Sequence, residues 1–158
     1  MWKMNPPLRG REDRNALIAG ILDGTIDIIA TDHAPHTMEE KVRGIEKSSF
    51  GIVGSETAFA QLYTKFVKTD IFSLEMLVKL MSENVAKIFN LPYGKLEENS
   101  FADIVIIDLE KEMTINPEEF LSKGKNIPYA NEKVSGIPVL TISSGKVAYV
   151  DKEEINLL

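Results

Sequence analysis

Asp27-Ile28-Ile29-Ala30-Thr31-Asp32-His33-Ala34-Pro35-His36-Thr37 is the stretch on which the reading of this chain turns. The apolar run from Ile26 to Ala30 predicts a short buried strand. At its end stand a carboxylate and both of the chain's 2 histidines. That set of groups, where a strand ends, suits metal-assisted or acid–base chemistry. Spacing alone leaves a second reading equally open: a loop in which Asp32 caps a turn and the histidines are solvated.

Upstream, Asn5-Pro6-Pro7-Leu8-Arg9-Gly10 cannot be helix interior, because prolines fix φ and remove donors. It is expected to be a stiff extended arm, following a second strand that ends near Met4. From Arg11 to Asp23 the residues Leu17, Ile18, Ile21 and Leu22 share one helical face, and Gly24 is the expected stop.

Downstream, Met38 to Gly54 shows no clean period, and charge dominates Glu39 to Lys47. Ala58, Phe59, Leu62, Tyr63, Phe66 and Val67 predict a helix with Ser55 as candidate cap. A second helix, capped by Ser73, runs through Leu74, Leu77, Val78 and Met81, and a short third through Val85, Ile88 and Phe89. These apolar residues are expected to be core.

Pro92-Tyr93-Gly94 marks the expected boundary between a first domain, 1–91, and a second, 92–158. Beyond it the pattern is β: a β-branched run from Asp103 to Asp108, and strands Pro138–Ser143 and Lys146–Val150 joined by Ser144-Gly145 as a tight hairpin. Pro117 to Leu121 reads as one helical turn, and Ser122 to Ser135 as irregular.

Helices alternating with strands in the first half imply a parallel α/β sheet. A closed eight-stranded barrel takes about 250 residues, so the first half is expected to be the end of a larger fold. Exposed strand edges would then make the isolated chain self-associate.

Composition narrows the function classes. The net charge is -6, with 18 basic residues scattered among 24 acids, which argues against general nucleic-acid binding. No apolar run approaches the ~20 residues of a membrane helix, and a cytoplasmic protein is expected. With 0 cysteines, neither disulfides nor thiolate metal sites are available.

Four separated motifs now combine: Lys3-Met4-Asn5-Pro6-Pro7-Leu8-Arg9, Asp23-Gly24-Thr25-Ile26-Asp27, Thr31 to Thr37, and Phe50-Gly51-Ile52-Val53-Gly54 with Glu56-Thr57. In order and spacing they resemble the C-terminal part of class I dihydroorotases of the amidohydrolase superfamily. Gly94-Lys95-Leu96, Ala102-Asp103-Ile104-Val105 and Gly145-Lys146-Val147 resemble that superfamily's small β-sandwich, so the likeness spans essentially the whole chain. Asn5 and His36 favour dihydroorotases over the related hydantoinases and allantoinases.

The resemblance implies the last units of a TIM-type (β/α)8 barrel followed by sandwich strands, with the site at the C-terminal strand ends. It implies the reversible hydrolysis of dihydroorotate to N-carbamoyl-L-aspartate, part of pyrimidine biosynthesis. Asp32 would be a zinc ligand and the catalytic base, passing a proton from the attacking hydroxide to the departing ring nitrogen. His36 would bind the substrate carboxylate and Asn5 would hydrogen-bond the substrate, while the backbone of Phe50 and Gly51 would close over the ring. His33 would be support, and Arg9 a structural ion-pair former. Ser48-Ser49 stands where the family usually has Ala-Pro, so this loop is expected to be less stiff.

The family's His-x-His pair and its other metal-binding histidines are absent from this sequence, and Asp32 cannot hold one or two zinc ions alone. The chain by itself is therefore expected to be inactive. The competing reading is a non-catalytic module that stabilises a partner such as aspartate carbamoyltransferase. A homo-oligomer and a second polypeptide supplying the missing strands are further expectations.

Overall fold

Asp13 and Gly24 set the limits of the first helix. In the computed structural model, which describes residues 2–151, helix α1 spans Arg11–Leu22, and Asp13 Oδ2 accepts the Gly10 N–H at 3.2 Å. Gly24 adopts φ +81°, and its N–H reaches Ile21 O at 3.3 Å, so the expected stop is realised. None of the helix's residues is buried, and Leu17 and Leu22 are exposed. The amphipathic stripe is present but uncovered by the described residues.

The predicted strand over Ile26–Ala30 forms no ladder among the described residues. Ile26, Ile28 and Ile29 are half-buried, and Ile26 N–H bonds Gly20 O at 2.8 Å. A β-branched run supplies the propensity, but a ladder also needs a neighbouring strand to exchange N–H and C=O pairs. The nearest pairing is an isolated parallel bridge between His33 and Ile52. Likewise no strand forms at Met4, whose segment is held instead through the Lys3 carbonyl.

Two short helices, α2 (Met38–Lys41) and α3 (Gly44–Lys47), occupy the stretch that showed no period. Helix α4 (Ala58–Leu62) continues directly as a π-helical segment, Tyr63–Val67; it starts at Ala58, after a turn over the candidate cap Ser55. Helix α5 (Leu74–Val78) is capped by Ser73, whose hydroxyl accepts the Met76 N–H at 3.0 Å. It runs on through a π-helical segment, Lys79–Glu83, into α6 (Asn84–Ile88). The second and third helices read from the sequence are thus one continuous helical stretch, with Ser82-Glu83-Asn84 falling where the π-helix rejoins α6.

The β-rich part forms a sheet of order β1-β2-β3, with β1 Ile104–Thr114, β2 Lys133–Ser143 and β3 Lys146–Val150. β1 and β2 are longer than expected, and β2 absorbs Lys133 to Ser135 from the stretch read as irregular. β2 and β3 are antiparallel, with Leu140 opposite Val150 and Ser143 opposite Lys146, and the register shifts once between Thr141 and Ile142. Ser144 (φ +51°) and Gly145 (φ +75°) make the two-residue turn, the double positive φ that right-twisted hairpins favour. Its tip is tied back, Ser144 N–H to Asp103 Oδ1 at 2.7 Å and Gly145 N–H to Ala102 O at 3.0 Å. Pro117–Glu119 is a single 3-10 turn.

The chain divides into two compact units. One joins the chain through Phe59 with Thr114–Val134, and its buried apolar residues include Val53, Ile115, Ile127 and Val134. The other joins Ala60–Met113 with the chain from Ser135, and buries Tyr63, Phe72, Leu77, Leu80, Ile137 and Val139. No helix among the described residues is long and apolar enough to cross a membrane. All the candidate site residues lie in the first unit.

Candidate active site

Asp32 sits just beyond the half-buried isoleucines, exposed, with φ +46°. That left-handed backbone costs most L-residues about 1–2 kcal/mol, and Asp tolerates it better than most. The loop after it is fixed at once: Ala34 N–H bonds Ile52 O at 2.9 Å, beside the His33–Ile52 bridge.

His33 holds that geometry with both ring nitrogens. Its Nδ1 accepts the N–H groups of Gly54 and Ser55, each at 3.1 Å, so the ring proton belongs on Nε2. Nε2–H then faces Ser122 Oγ at 3.4 Å, and Ser122 Oγ donates to Glu56 Oε1 at 2.6 Å. Glu56 also accepts the Leu121 N–H at 2.8 Å and the Ser122 N–H at 3.1 Å. A histidine with both nitrogens engaged in this way is support, as expected for His33.

Burial alone would raise the Glu56 carboxyl pKa, but the hydrogen bonds from Ser122 and Leu121, with a smaller contribution from His33, hold it below 4.5. A carboxyl depressed on folding contributes stability above its unfolded pKa, and that contribution is lost as pH falls through the folded value. Glu56 is exposed and solvent screens these contacts, so Glu56→Gln is expected to cost at most about 1 kcal/mol near pH 7. The gap between wild type and variant should close at a second, acid pH beneath the lowered folded pKa, where wild type has also lost the carboxylate. Urea melts at the two pH values measure it, and an equal gap at both would rule out the carboxylate as its origin.

His36 is half-buried, with Nδ1 3.3 Å from Glu40 Oε2. Glu40 is placed by a reciprocal box at the start of α2: its Oε2 accepts the Thr37 N–H at 3.0 Å, and Thr37 Oγ1 accepts the Glu40 N–H at 3.3 Å. The Thr37 N–H is the main reason the Glu40 carboxyl lies below its usual pKa; burial opposes it and His36 assists. Among the described residues nothing is hydrogen-bonded to His36 Nε2, so that nitrogen is the one available to a ligand. Gly124 packs against this turn, and a Cβ there would lie 2.8 Å from both His36 N and Pro35 Cβ.

Gly51 is where three segments meet. Its N–H bonds Lys3 O at 2.9 Å, in the arm that carries Asn5. Its Cα faces Ala34, between Asp32 and His36, and a Cβ would collide with Ala34 Cβ and come 2.8 Å from Ala34 O. Its own carbonyl accepts from Lys41 Nζ at 2.8 Å and from Asn126 Nδ2 at 3.2 Å. Phe50, next to it, is half exposed, with Lys3 Nζ 4.2 Å above its ring centroid. The same ammonium donates to Glu46 O at 3.1 Å and Ser48 O at 2.9 Å. Ser48 is buried and its hydroxyl donates to Lys41 O at 3.2 Å. The loop lacking Ala-Pro is thus tied by two ammonium groups and a hydroxyl.

Backbone contacts therefore bring the Asn5 arm, the Asp32–His36 loop and Phe50–Gly51 together. The side chains of Asn5, Asp32 and His36 are not hydrogen-bonded to one another among the described residues. Lys41, Ser122, Gly124 and Asn126 were not singled out by sequence reasoning. Only the Thr37-x-x-Glu40 capping pattern was available as a signal, and it points to Glu40 rather than to these.

No three His, Cys, Asp or Glu side chains gather as a metal site among the described residues. His33 is committed at both nitrogens and His36 Nδ1 is turned to Glu40, which leaves Asp32 and His36 Nε2 as the available donors. This donor set does not by itself fit a structural or catalytic zinc ion, which takes three or four protein ligands.

The chain belongs to the amidohydrolase family, whose sequence profile matches residues 5–148. Enzymes of that family are hydrolases and generally metal-dependent. Within it, the chain is 90% identical over 157 residues to a dihydroorotase of Fusobacterium nucleatum subsp. nucleatum, covering 99% of this chain and 37% of that protein. It is 61% identical over 148 residues to a dihydroorotase of Bacillus pumilus, covering 94% of this chain and 35% of that one. The chain thus spans little more than a third of the curated relatives it matches. Among solved structures it matches an L-hydantoinase (dihydropyrimidinase) of Arthrobacter aurescens, TM-score 0.86 and 33% identity, over 94% of this chain and 34% of that one. A D-hydantoinase of Thermus sp. matches with TM-score 0.88 and 28% identity, over 95% of this chain and 34% of that one.

Proposed function

We propose that this chain supplies one wall of a dihydroorotase active site and does not turn over substrate alone. The carrying observation is the meeting at Gly51 of the three segments that bear the Asn5, Asp32–His36 and Phe50 candidates. The identities to curated dihydroorotases support dihydroorotate and N-carbamoyl-aspartate as the reacting pair, ahead of hydantoinase or allantoinase substrates.

In this reading residues 1–91 are the last β/α units of the barrel and 92–158 the C-terminal sandwich segment. Asp32 accepts a proton from the attacking hydroxide and delivers it to the departing ring nitrogen, closing the proton cycle. His36 turns Nε2 to the substrate carboxylate, its ring held at Nδ1 by Glu40. Asn5 hydrogen-bonds the substrate, and the backbone of Phe50–Gly51 covers its ring. Zinc enters only with donors beyond those the described residues bring together, Asp32 being the ligand offered here. The protein is read as cytoplasmic, with a homo-oligomer or aspartate carbamoyltransferase as protein partners.

The test is a chimera. This chain replaces the matching segment of the Fusobacterium nucleatum dihydroorotase, to which it is 90% identical. The chimera is expected to hydrolyse dihydroorotate at a rate within about tenfold of the parent, an allowance of 1.4 kcal/mol in the barrier. The isolated chain with zinc is expected to show no turnover. An inactive but folded chimera, or an active isolated chain, would each overturn the reading.

A further inference from the structure

The charged run Glu39 to Lys47 hides the least solvated cation among the described residues. Lys41 is 1% exposed, yet no carboxylate is among its hydrogen-bond partners. Its Nζ donates to Ser49 O at 2.7 Å, Gly51 O at 2.8 Å and Lys3 O at 3.2 Å. An ammonium carries three N–H donors, and here three carbonyls take them. Asn offers two donors and Ser one, while the planar guanidinium of Arg does not converge on three points. Burying an ammonium without a counter-charge is unfavourable, and burial, with the nearby Lys3 charge, pushes the Lys41 pKa down. A fold that keeps a cation there uses it for something.

Its partners indicate the use. Ser49 O and Gly51 O flank Phe50, and Lys3 O belongs to the arm that carries Asn5 two residues later. Because a trans peptide sets N–H opposite C=O, drawing Ser49 O toward Lys41 turns the Phe50 N–H the other way. Drawing Gly51 O inward does the same for Ile52. The ammonium thereby fixes the orientation of the two peptide planes that bracket Phe50–Gly51 and locks them to the Asn5 arm. His33, which steadies the Asp32 loop, uses a separate network through Ser122 and Glu56.

We propose that Lys41 is a positioning residue for substrate binding: its buried ammonium gathers the carbonyls of Lys3, Ser49 and Gly51 and so sets the Asn5 arm against the Phe50–Gly51 backbone. This rests on the reading of the chain as a dihydroorotase wall. It predicts a split in kinetics, since Lys41 acts on the substrate-binding segments and not on the Asp32 network.

In the chimera, Lys41→Ala is expected to raise KM for dihydroorotate about 100-fold, the cost of a misplacement near 1 Å, with kcat changed much less. Propylammonium, which replaces the deleted stem and charge, is expected to recover at least about tenfold of kcat/KM; propanol, the same shape without charge, is not. Lys41→Met fills the space without donors, and should be as impaired and not rescued. Wild-type KM in Lys41→Ala, or equal rescue by propanol and propylammonium, would overturn the proposal. Should Lys41→Ala not fold, Lys41→Arg decides: raised KM at constant kcat supports it, and unchanged KM overturns it.

A second readout needs no activity. In the isolated chain, exchange of the Gly51 amide is expected to quicken about tenfold in Lys41→Ala and slow again with propylammonium, a tenfold change being 1.4 kcal/mol of local opening. An inactive chimera with this exchange result would sink the reading of function while leaving the clamp. An active chimera without it sinks the clamp alone.

Discussion

Asp32→Asn in the chimera is expected to lower kcat for dihydroorotate by about 10²–10⁴-fold, the usual range for loss of a positioned acid–base group. KM should change by no more than a few-fold, because Asn5, His36 and the Phe50–Gly51 backbone are left in place. Asn is the informative replacement for a structural reason. Asp32 stands at φ +46°, and Asn, like Asp, accepts the left-handed region at little cost. The variant should therefore melt with the wild type, so that lost turnover reports the carboxylate's lost chemistry, as base or metal ligand, and not unfolding. Asp32→Gly sharpens the contrast, since glycine enters this region without a Cβ penalty and should gain up to about 1 kcal/mol. A variant more stable and yet inactive is what a strained functional position produces. Retention of more than about a tenth of wild-type kcat in Asp32→Asn, an effect below 1.4 kcal/mol, would remove Asp32 from the role of base.

The sequence carried the chemistry of this site better than its support, and the reason is physical. Asp32 and His36 were legible as candidates because the chain has only 2 histidines, and both stand beside that carboxylate. Lys41 and Asn126 act on backbone carbonyls, which every residue has, so nothing in their spacing announces a partner. Lys41 was further disguised by its charged neighbours, among which no period set it apart. The fold divides along the same line. Local interactions were readable: the Ser73 cap, the Gly24 stop and the Ser144-Gly145 hairpin each depend on a few adjacent residues. The Ile26–Ala30 run shows the converse, since propensity and apolarity specify a strand's surroundings but a ladder depends on a second segment elsewhere. The helical stretch through Ser82-Glu83-Asn84 was divided because a π-helical segment shifts the apolar face, and a fixed 3.6-residue period cannot follow that shift.

Gly51→Ala is expected to destabilise the chain by about 3 kcal/mol, the sum of a left-handed or wider φ penalty and of overpacking against backbone. Both parts are local and separable. Gly51 lies at φ +123°, outside the region an L-alanine prefers, and the added methyl would strike Ala34 Cβ and approach Ala34 O to 2.8 Å. Ala34 cannot turn away freely, because its N–H is bonded to Ile52 O. Ala34→Gly should relieve the side-chain part of the clash, leaving the φ penalty and the carbonyl contact. The double variant is therefore expected to recover about 1 kcal/mol relative to the sum of the single changes, a coupling typical of residues in contact. Gly24→Ala is the control, since φ there is +81° with nothing within 4 Å of an added Cβ, so only the conformational cost of about 1 kcal/mol applies. Urea denaturation of the four variants measures these differences. Equal losses in Gly51→Ala and Gly24→Ala, with no coupling to Ala34, would mean that the loop yields to the methyl. The meeting of the three segments would then be too soft to define a site. A large coupled loss would instead locate the rigidity of the wall at the close approach of Gly51 to Ala34, where residues far apart in the chain are held to within van der Waals distance.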